Sequence, residues 1–290
     1  MSRTTTVLLD GLNFPEGPRW RDGKLWFSDM HGDRVMTVDA AGSAHTVCDV
    51  PGQPSGLGWT PDGTLLVVSM TDRRLLRLDE GGLSEVADLS ALASGHCNDM
   101  VVDAAGRAYV GNFGFDMFGD DPTPKHAELI MVDLDGTARV VAGELIFPNG
   151  MVIFPDNRTL VVGETMGARL TAFTIQDDGS LVDRRIWAEF EDTSAAGAVP
   201  VAPDGCCLDA EGAIWVASPM TGEVLRVHEG GRISERFKPD TLPFACMLGG
   251  ADGRTLFVAT AESYLPDECR ARATGRIEVV EVDVPGAGLP

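Results

Sequence analysis

Six residues, Glu16, Ser55, Asn98, Asn149, Asp204 and Phe244, each follow a Pro or Cys at the opening of a short apolar-polar segment, and five of the six carry a side-chain oxygen. Two are carboxylates, two are carboxamides, and none is His or Cys. If the fold brings them to one axis, the two carboxylates repel each other near a closed channel, and a divalent cation relieves that repulsion. An all-oxygen donor set suits a hard ion such as calcium or magnesium better than zinc. The competing explanation is local, because Asn and Asp are turn formers and Pro-Asn-Gly or Pro-Asp-Gly is also turn chemistry. Glu16 argues against it, since glutamate has no such preference.

The elements that must position these residues follow from their spacing. Successive markers lie 39, 43, 51, 55 and 40 residues apart, the repeat lengths of a propeller with four strands per blade. Within the first unit, strands are expected near 17–21, 24–29, 34–39 and 44–49, separated by Asp22-Gly23, His31-Gly32-Asp33 and Ala41-Gly42. Short strands with Gly-containing turns at this rhythm signal meandering antiparallel sheet. The expected fold is all-β: one domain over residues 1–290, a six-bladed β-propeller with four antiparallel strands per blade. A helical or leucine-rich solenoid fits the turn density and β-branched content poorly. The last blade ends with a strand near 277–283 and is one strand short, which the N-terminal run at residues 5–9 is expected to supply, closing the ring and removing exposed sheet edges. The first strand of each blade lines the channel, so the six markers point toward one axis.

Two segments exceed the minimum blade. Residues 112–128 are rich in aromatics, and the part from Phe113 to Pro124 is expected to form part of a lid over the channel. Residues 190–202 are rich in small side chains and lead to Asp204.

Composition excludes several classes. The 290 residues, 44% apolar with 34 glycines, suffice for one large domain. Twenty-three Lys and Arg against 44 Asp and Glu leave a net charge of −21, which argues against a nucleic-acid partner, since phosphate binding needs clustered basic residues. Six scattered cysteines without a CxxC pair read as reduced core residues. No charged-then-apolar leader opens the chain and no run approaches roughly 20 apolar residues, so a soluble, cytoplasmic protein without a membrane partner is expected. Nothing in the chain bears on oligomeric state. GxSxG, HExxH, Walker and GxGxxG motifs are missing. His31, His45, His126 and His228 read as turn or surface residues, which disfavours a histidine relay.

The segments Phe14-Pro15-Glu16-Gly17-Pro18-Arg19-Trp20, Cys97-Asn98-Asp99-Met100, Phe147-Pro148-Asn149-Gly150-Met151 and Pro203-Asp204-Gly205-Cys206-Cys207-Leu208-Asp209 together resemble the senescence marker protein (regucalcin), gluconolactonase and luciferin-regenerating enzyme family of six-bladed propellers. The resemblance covers nearly the whole chain. It implies Glu16, Asn149 and Asp204 as direct metal ligands and Asn98 as a ligand or substrate contact. Members of that family commonly hydrolyse lactones, using calcium, zinc, manganese, magnesium or iron(II) in different enzymes. The implied function is therefore that of a metal-dependent lactonase acting on a small-molecule lactone with one divalent ion, calcium first among these. The ion polarises the ring carbonyl, and Asp204 is the candidate base that accepts the proton of the attacking water. Sugar-lactone members often place an arginine two residues before the third-blade asparagine, where this chain has His96, a candidate substrate contact or a wall residue. Phe244 and the aromatic loop add apolar surface on the substrate side. A non-catalytic calcium-binding regulatory propeller and an organophosphate hydrolase are the alternative readings. Asp99 reads either as support for Asn98 or as ordinary strand hydrogen bonding.

Overall fold

Short runs of β-branched and apolar residues, separated by tight turns, pair with their sequence neighbours as antiparallel strands, four at a time. In blade 1 the strands are Pro15–Arg21, Lys24–Asp29, Arg34–Asp39 and Ala44–Asp49, within two residues of the expected boundaries. Its first turn places Asp22 at φ 52 and Gly23 at φ 75, the doubly left-handed pair that matches the twist of a two-residue hairpin. This computed structural model describes residues 3–119, 122–190 and 199–290.

Six such four-stranded sheets are arranged as a six-bladed β-propeller. The inner strands of blades 2 to 6 are Pro54–Trp59, Cys97–Val102, Pro148–Ile153, Cys206–Leu208 and Leu242–Gly249. Each packs against the next, and the sixth returns to the first. The strand Thr6–Leu12 pairs antiparallel with Gly275–Glu281 and forms the outer edge of blade 6, so the ring closes through the N-terminal strand as expected.

The segment openings that look like turns in sequence are built differently. In five blades the pairing register slips beside the marker, between Glu16 and Arg19, Pro54 and Leu57, Cys97 and Met100, Pro148 and Met151, and Pro243 and Ala245. Such β-bulges re-aim a side chain and are frequent beside functional sites. Asn149 thus lies inside a strand, and Asp204, just ahead of its own, donates its N–H to Ala217 O at 2.9 Å. The turn-former explanation for Asn149 therefore falls.

The glycine after the marker has a packing reason. A Cβ on Gly150 would lie 2.5 Å from Asp204 O and 2.6 Å from the N of Cys206. Only a residue without Cβ lets two inner strands approach this closely.

The apolar core lies between neighbouring blades, for example Met100, Val102 and Val110 against Val68 and Leu75, and Trp187 and Leu170 against Val216 and Leu225. Phe113 and Phe115 of the third-blade loop are buried and Phe118 is exposed, while residues 120–121 of the expected lid and 191–198 of the second long segment lie outside the described residues. All six cysteines are free, and five are buried. Among the described residues no helix is long and apolar enough to cross a membrane.

The C-terminal segment crosses three blades at the far end of the inner strands. Gly286 N–H bonds Gly253 O, Ala287 N–H bonds Leu208 O, and Leu289 exchanges both backbone bonds with Ile153 at 2.8 and 2.9 Å.

Candidate metal centre

Each candidate ligand is approached by a loop that a buried polar side chain holds from behind. Asp29, the last residue of its strand, accepts at Oδ1 the N–H groups of Asn13 (2.8 Å) and Phe14 (2.9 Å), two residues before Glu16. Asn112 Oδ1 accepts from Gly95 N–H at 3.2 Å, ahead of Asn98. Glu164 Oε2 accepts from Ile146 N–H at 2.8 Å, ahead of Asn149, and Ser218 Oγ from Ala202 N–H at 3.1 Å, ahead of Asp204. All four anchors are fully buried ends of second strands. Sequence reasoning missed them; the available signal was a polar residue closing an otherwise apolar strand.

The candidate ligands themselves are buried, with Glu16 and Asp204 8% exposed and Asn98 and Asn149 6%. Burial pushes the Glu16 carboxyl up to about 8; the Gly17 N–H, donating to Glu16 Oε2 at 3.0 Å, opposes this, Asp99 adds to it and Arg19 moderates it. Burial also raises the Asp204 carboxyl well above the usual range, reinforced by the charges of Glu16 and Asp99 and opposed by Gly205 N–H and the Asn149 side chain. The two carboxylates therefore lie within mutual repulsion, with the Asn149 amide beside Asp204. Asn149 Nδ2 donates to Thr165 Oγ1 at 3.2 Å, and Thr165 Oγ1 donates to Pro203 O at 2.7 Å. This fixes the amide by its nitrogen and leaves the lone pairs of Oδ1 available to a cation.

Asn98 Oδ1 accepts from Ser55 Oγ at 3.2 Å, while its Nδ2 is buried with no partner. Exchanging O and N of this amide lets Nδ2 donate to Ser55 Oγ and sets an oxygen where the orphaned nitrogen now lies, the orientation a cation ligand requires. Among the described residues no three His, Cys, Asp or Glu side chains are arranged to hold a metal, so a cation here would need amide oxygens to complete the two carboxylates. Two buried carboxylates, a fixed amide and an orphaned amide fit a hard divalent ion.

Phe14 and Phe147, each two residues before a candidate ligand, join Met70, Phe113, Phe115 and Phe244 in one buried apolar collar. Phe14 and Phe244 meet edge to face at 4.7 Å, and Phe113 stacks on Phe147 at 4.6 Å. Phe147 adopts φ 61, a conformation that costs a bulky residue roughly 1–3 kcal/mol and persists only where its surroundings impose it. Thr165 N–H holds its carbonyl at 3.0 Å. His96 lies at the collar, 6.3 Å from the Phe113 ring, with Nδ1 buried and unpartnered. Burial lowers its pKa, against the pull of Asp116 and with the push of Arg73.

The fold thus gathers Glu16, Asn149 and Asp204, places Asn98 and Ser55 in hydrogen-bond contact, and sets His96 and Phe244 in the surrounding wall rather than among the oxygens. His31 packs on Phe14 at 5.2 Å and is buried, whereas His45 and His126 are exposed. Two surface cavities, about 430 Å³ beside Arg3 and Glu281 and about 210 Å³ between Trp20 and Pro290, are lined by none of the candidate residues.

Residues 14–262 match the family described as SMP-30/Gluconolactonase/LRE-like region. The chain is 26% identical over 283 residues to 6-deoxy-6-sulfogluconolactonase of Pseudomonas putida, covering 95% of this chain and 93% of that protein. It is 27% identical over 299 residues to pentonolactonase XacC of Haloferax volcanii, covering 99% and 96%. A solved structure of regucalcin from Agrobacterium tumefaciens, described as a calcium-binding protein, superposes with a TM-score of 0.80 at 22% identity over 100% of this chain and 96% of that one; at that identity the likeness attests the fold.

Proposed function

The chain belongs to the SMP-30/gluconolactonase/LRE-like family, and from that premise we propose that it is a metal-dependent lactonase. The observation that carries this reading is the pair of buried, mutually repelling carboxylates of Glu16 and Asp204 beside the fixed Asn149 amide. Lactone hydrolysis is named for two relatives that span almost the whole chain.

Glu16, Asn149 and Asp204 would hold one divalent cation, calcium first, with Asn98 as a further ligand or a substrate contact. The bound ion supplies a Lewis acid for the lactone carbonyl oxygen. Asp204 accepts the proton of the attacking water; the water oxygen bonds to the carbonyl carbon, the ring C–O bond breaks, and the leaving oxygen takes a proton to give the open hydroxy acid. His96 and Phe244 line the substrate side. Six free thiols fit a reducing compartment, and we place the protein in the cytoplasm.

A panel of aliphatic and sugar lactones, assayed after chelation and after add-back of Ca²⁺, Zn²⁺, Mn²⁺, Mg²⁺ and Fe²⁺, tests the reading. Turnover that disappears with chelator and returns with a divalent ion is expected. Asp204→Asn should lose turnover by at least about a hundred-fold, the usual scale of a positioned proton acceptor. Cation binding without turnover of any lactone would leave a binding propeller and reject the enzyme.

A further inference from the structure

At one repeat position beyond the marker, five blades carry a small residue, Gly17, Gly56, Gly150, Gly205 and Ala245, and blade 3 carries Asp99. Three positions beyond the marker, five blades carry Gly58, Val101, Val152, Cys207 and Met247, and blade 1 carries Arg19. These two departures from the repeat meet. Arg19 Nη2 donates to Asp99 Oδ1 at 2.6 Å, with both side chains almost completely buried.

The guanidinium also donates from Nη2 to Met100 O at 2.6 Å, from Nε to Leu57 O at 3.0 Å and from Nη1 to Pro18 O at 2.8 Å. It therefore fills a cage of four oxygens contributed by the inner strands of blades 1, 2 and 3. A lysine, with three donors on one nitrogen, cannot span these acceptors as the planar fork does. Asp99 directly follows Asn98 in the inner strand Cys97–Val102, whose Asn98 side chain bonds Ser55, and its charge raises the carboxyl pKa of both Glu16 and Asp204. The channel thus combines the three carboxylates of Glu16, Asp99 and Asp204 with one guanidinium, a balance that a single divalent cation neutralises.

We propose that Arg19 is a positioning residue, a built-in cation that occupies Asp99 and its neighbouring main-chain oxygens and so sets the channel to accept one divalent ion rather than two. The inference rests on the metal reading above. Its physical content is that Arg19 and Asp99 matter to cation binding as a neutral pair: either alone disturbs it, and removing both together restores it.

Calorimetric titration of Ca²⁺ into chelator-treated protein, with folding checked by circular dichroism, tests this. The native protein should bind one Ca²⁺ per chain. Asp99→Asn leaves an uncompensated guanidinium and should weaken Ca²⁺ binding by at least about ten-fold, well inside the roughly thousand-fold that one charge about 4 Å away carries at an effective dielectric near 20. The double variant Arg19→Met/Asp99→Asn, in which a buried ion pair is replaced by neutral groups, should fold and recover affinity to within about three-fold of the native protein, a rescue that a purely structural role does not produce. Arg19→Met alone, if it folds, should take up a second Ca²⁺ in the vacated cage; if it does not fold, the Asp99→Asn and double-variant comparison decides. A double variant no tighter than Asp99→Asn overturns the proposal, as does folded Arg19→Met with one ion at native affinity. A native protein that binds none of the divalent ions rejects the metal reading itself, a distinct result.

Discussion

Asp29 Oδ1 accepts the Phe14 N–H at 2.9 Å, and Asp29 Oδ2 receives Arg34 at 2.9 and 3.1 Å. One buried carboxylate thus ties the start of its own third strand to the loop that delivers Glu16. Asp29→Ala leaves two backbone donors and a partly exposed guanidinium without their acceptor. It should cost about 2–4 kcal/mol of stability, read as a lower urea midpoint with an unchanged denaturant slope. A loss below about 0.5 kcal/mol, the range of an ordinary surface change, would contradict the anchoring role.

Gly150 is the contact between the blades that supply Asn149 and Asp204. A methyl group there meets Asp204 O and Cys206 N at 2.5 and 2.6 Å, both main-chain atoms that cannot swing aside. Gly150→Ala should cost about 1–3 kcal/mol, the usual penalty of overpacking, and should weaken divalent-cation binding by calorimetry, because the two ligands are forced apart. Gly143, with open space around it, is the control: Gly143→Ala should leave cation binding unchanged.

Burial by itself would raise the Glu164 carboxyl, but Arg169, the Thr171 hydroxyl and the Ile146 N–H outweigh it and hold the group below its ordinary value of 4.5. A carboxyl lowered by folding stabilises the native state above its unfolded pKa, and that contribution disappears as pH falls through the folded-state value. Denaturant midpoints should therefore fall as pH drops below about 4.5, and Glu164→Gln should make that fall shallower while lowering the midpoint at pH 7. An identical acid profile in the variant would show that Glu164 has no part in acid sensitivity.

The C-terminal segment bonds Gly253, Leu208 and Ile153 at the end of the inner strands opposite the collar. Along Pro148–Ile153, the tail contact at Ile153 lies four positions beyond Asn149, roughly 13 Å of strand. Removing residues 285–290 should lower stability by roughly 2–5 kcal/mol through lost backbone hydrogen bonds and packing, leaving Ca²⁺ affinity within about two-fold, since those contacts do not reach the site. A large affinity loss in a folded truncation would show that the two ends of the channel are coupled.

Much of the architecture was legible because a propeller repeats. The spacing of Glu16, Ser55, Asn98, Asn149, Asp204 and Phe244 fixes six units, and the strands of the first are read to within two residues. The same alignment isolates Arg19 and Asp99 as exceptions. Their pairing stayed hidden, because residues 80 positions apart meet only when inner strands of blades 1 and 3 converge on the axis.

The amino-acid sequence by itself determined the blade number, the closing strand and the oxygen-rich character of the axis, since these follow from local periodicity and residue type. Tertiary structure alone decided three things. Five of the six markers stand at β-bulges rather than turns. Asp29, Asn112, Glu164 and Ser218 hold the loops from behind. Arg19 fills the oxygen cage beside the candidate ligands. The physical reason is the same in each case: hydrogen-bond partners and charge balance are set by which groups share a buried space, and that space exists only once the ring has closed.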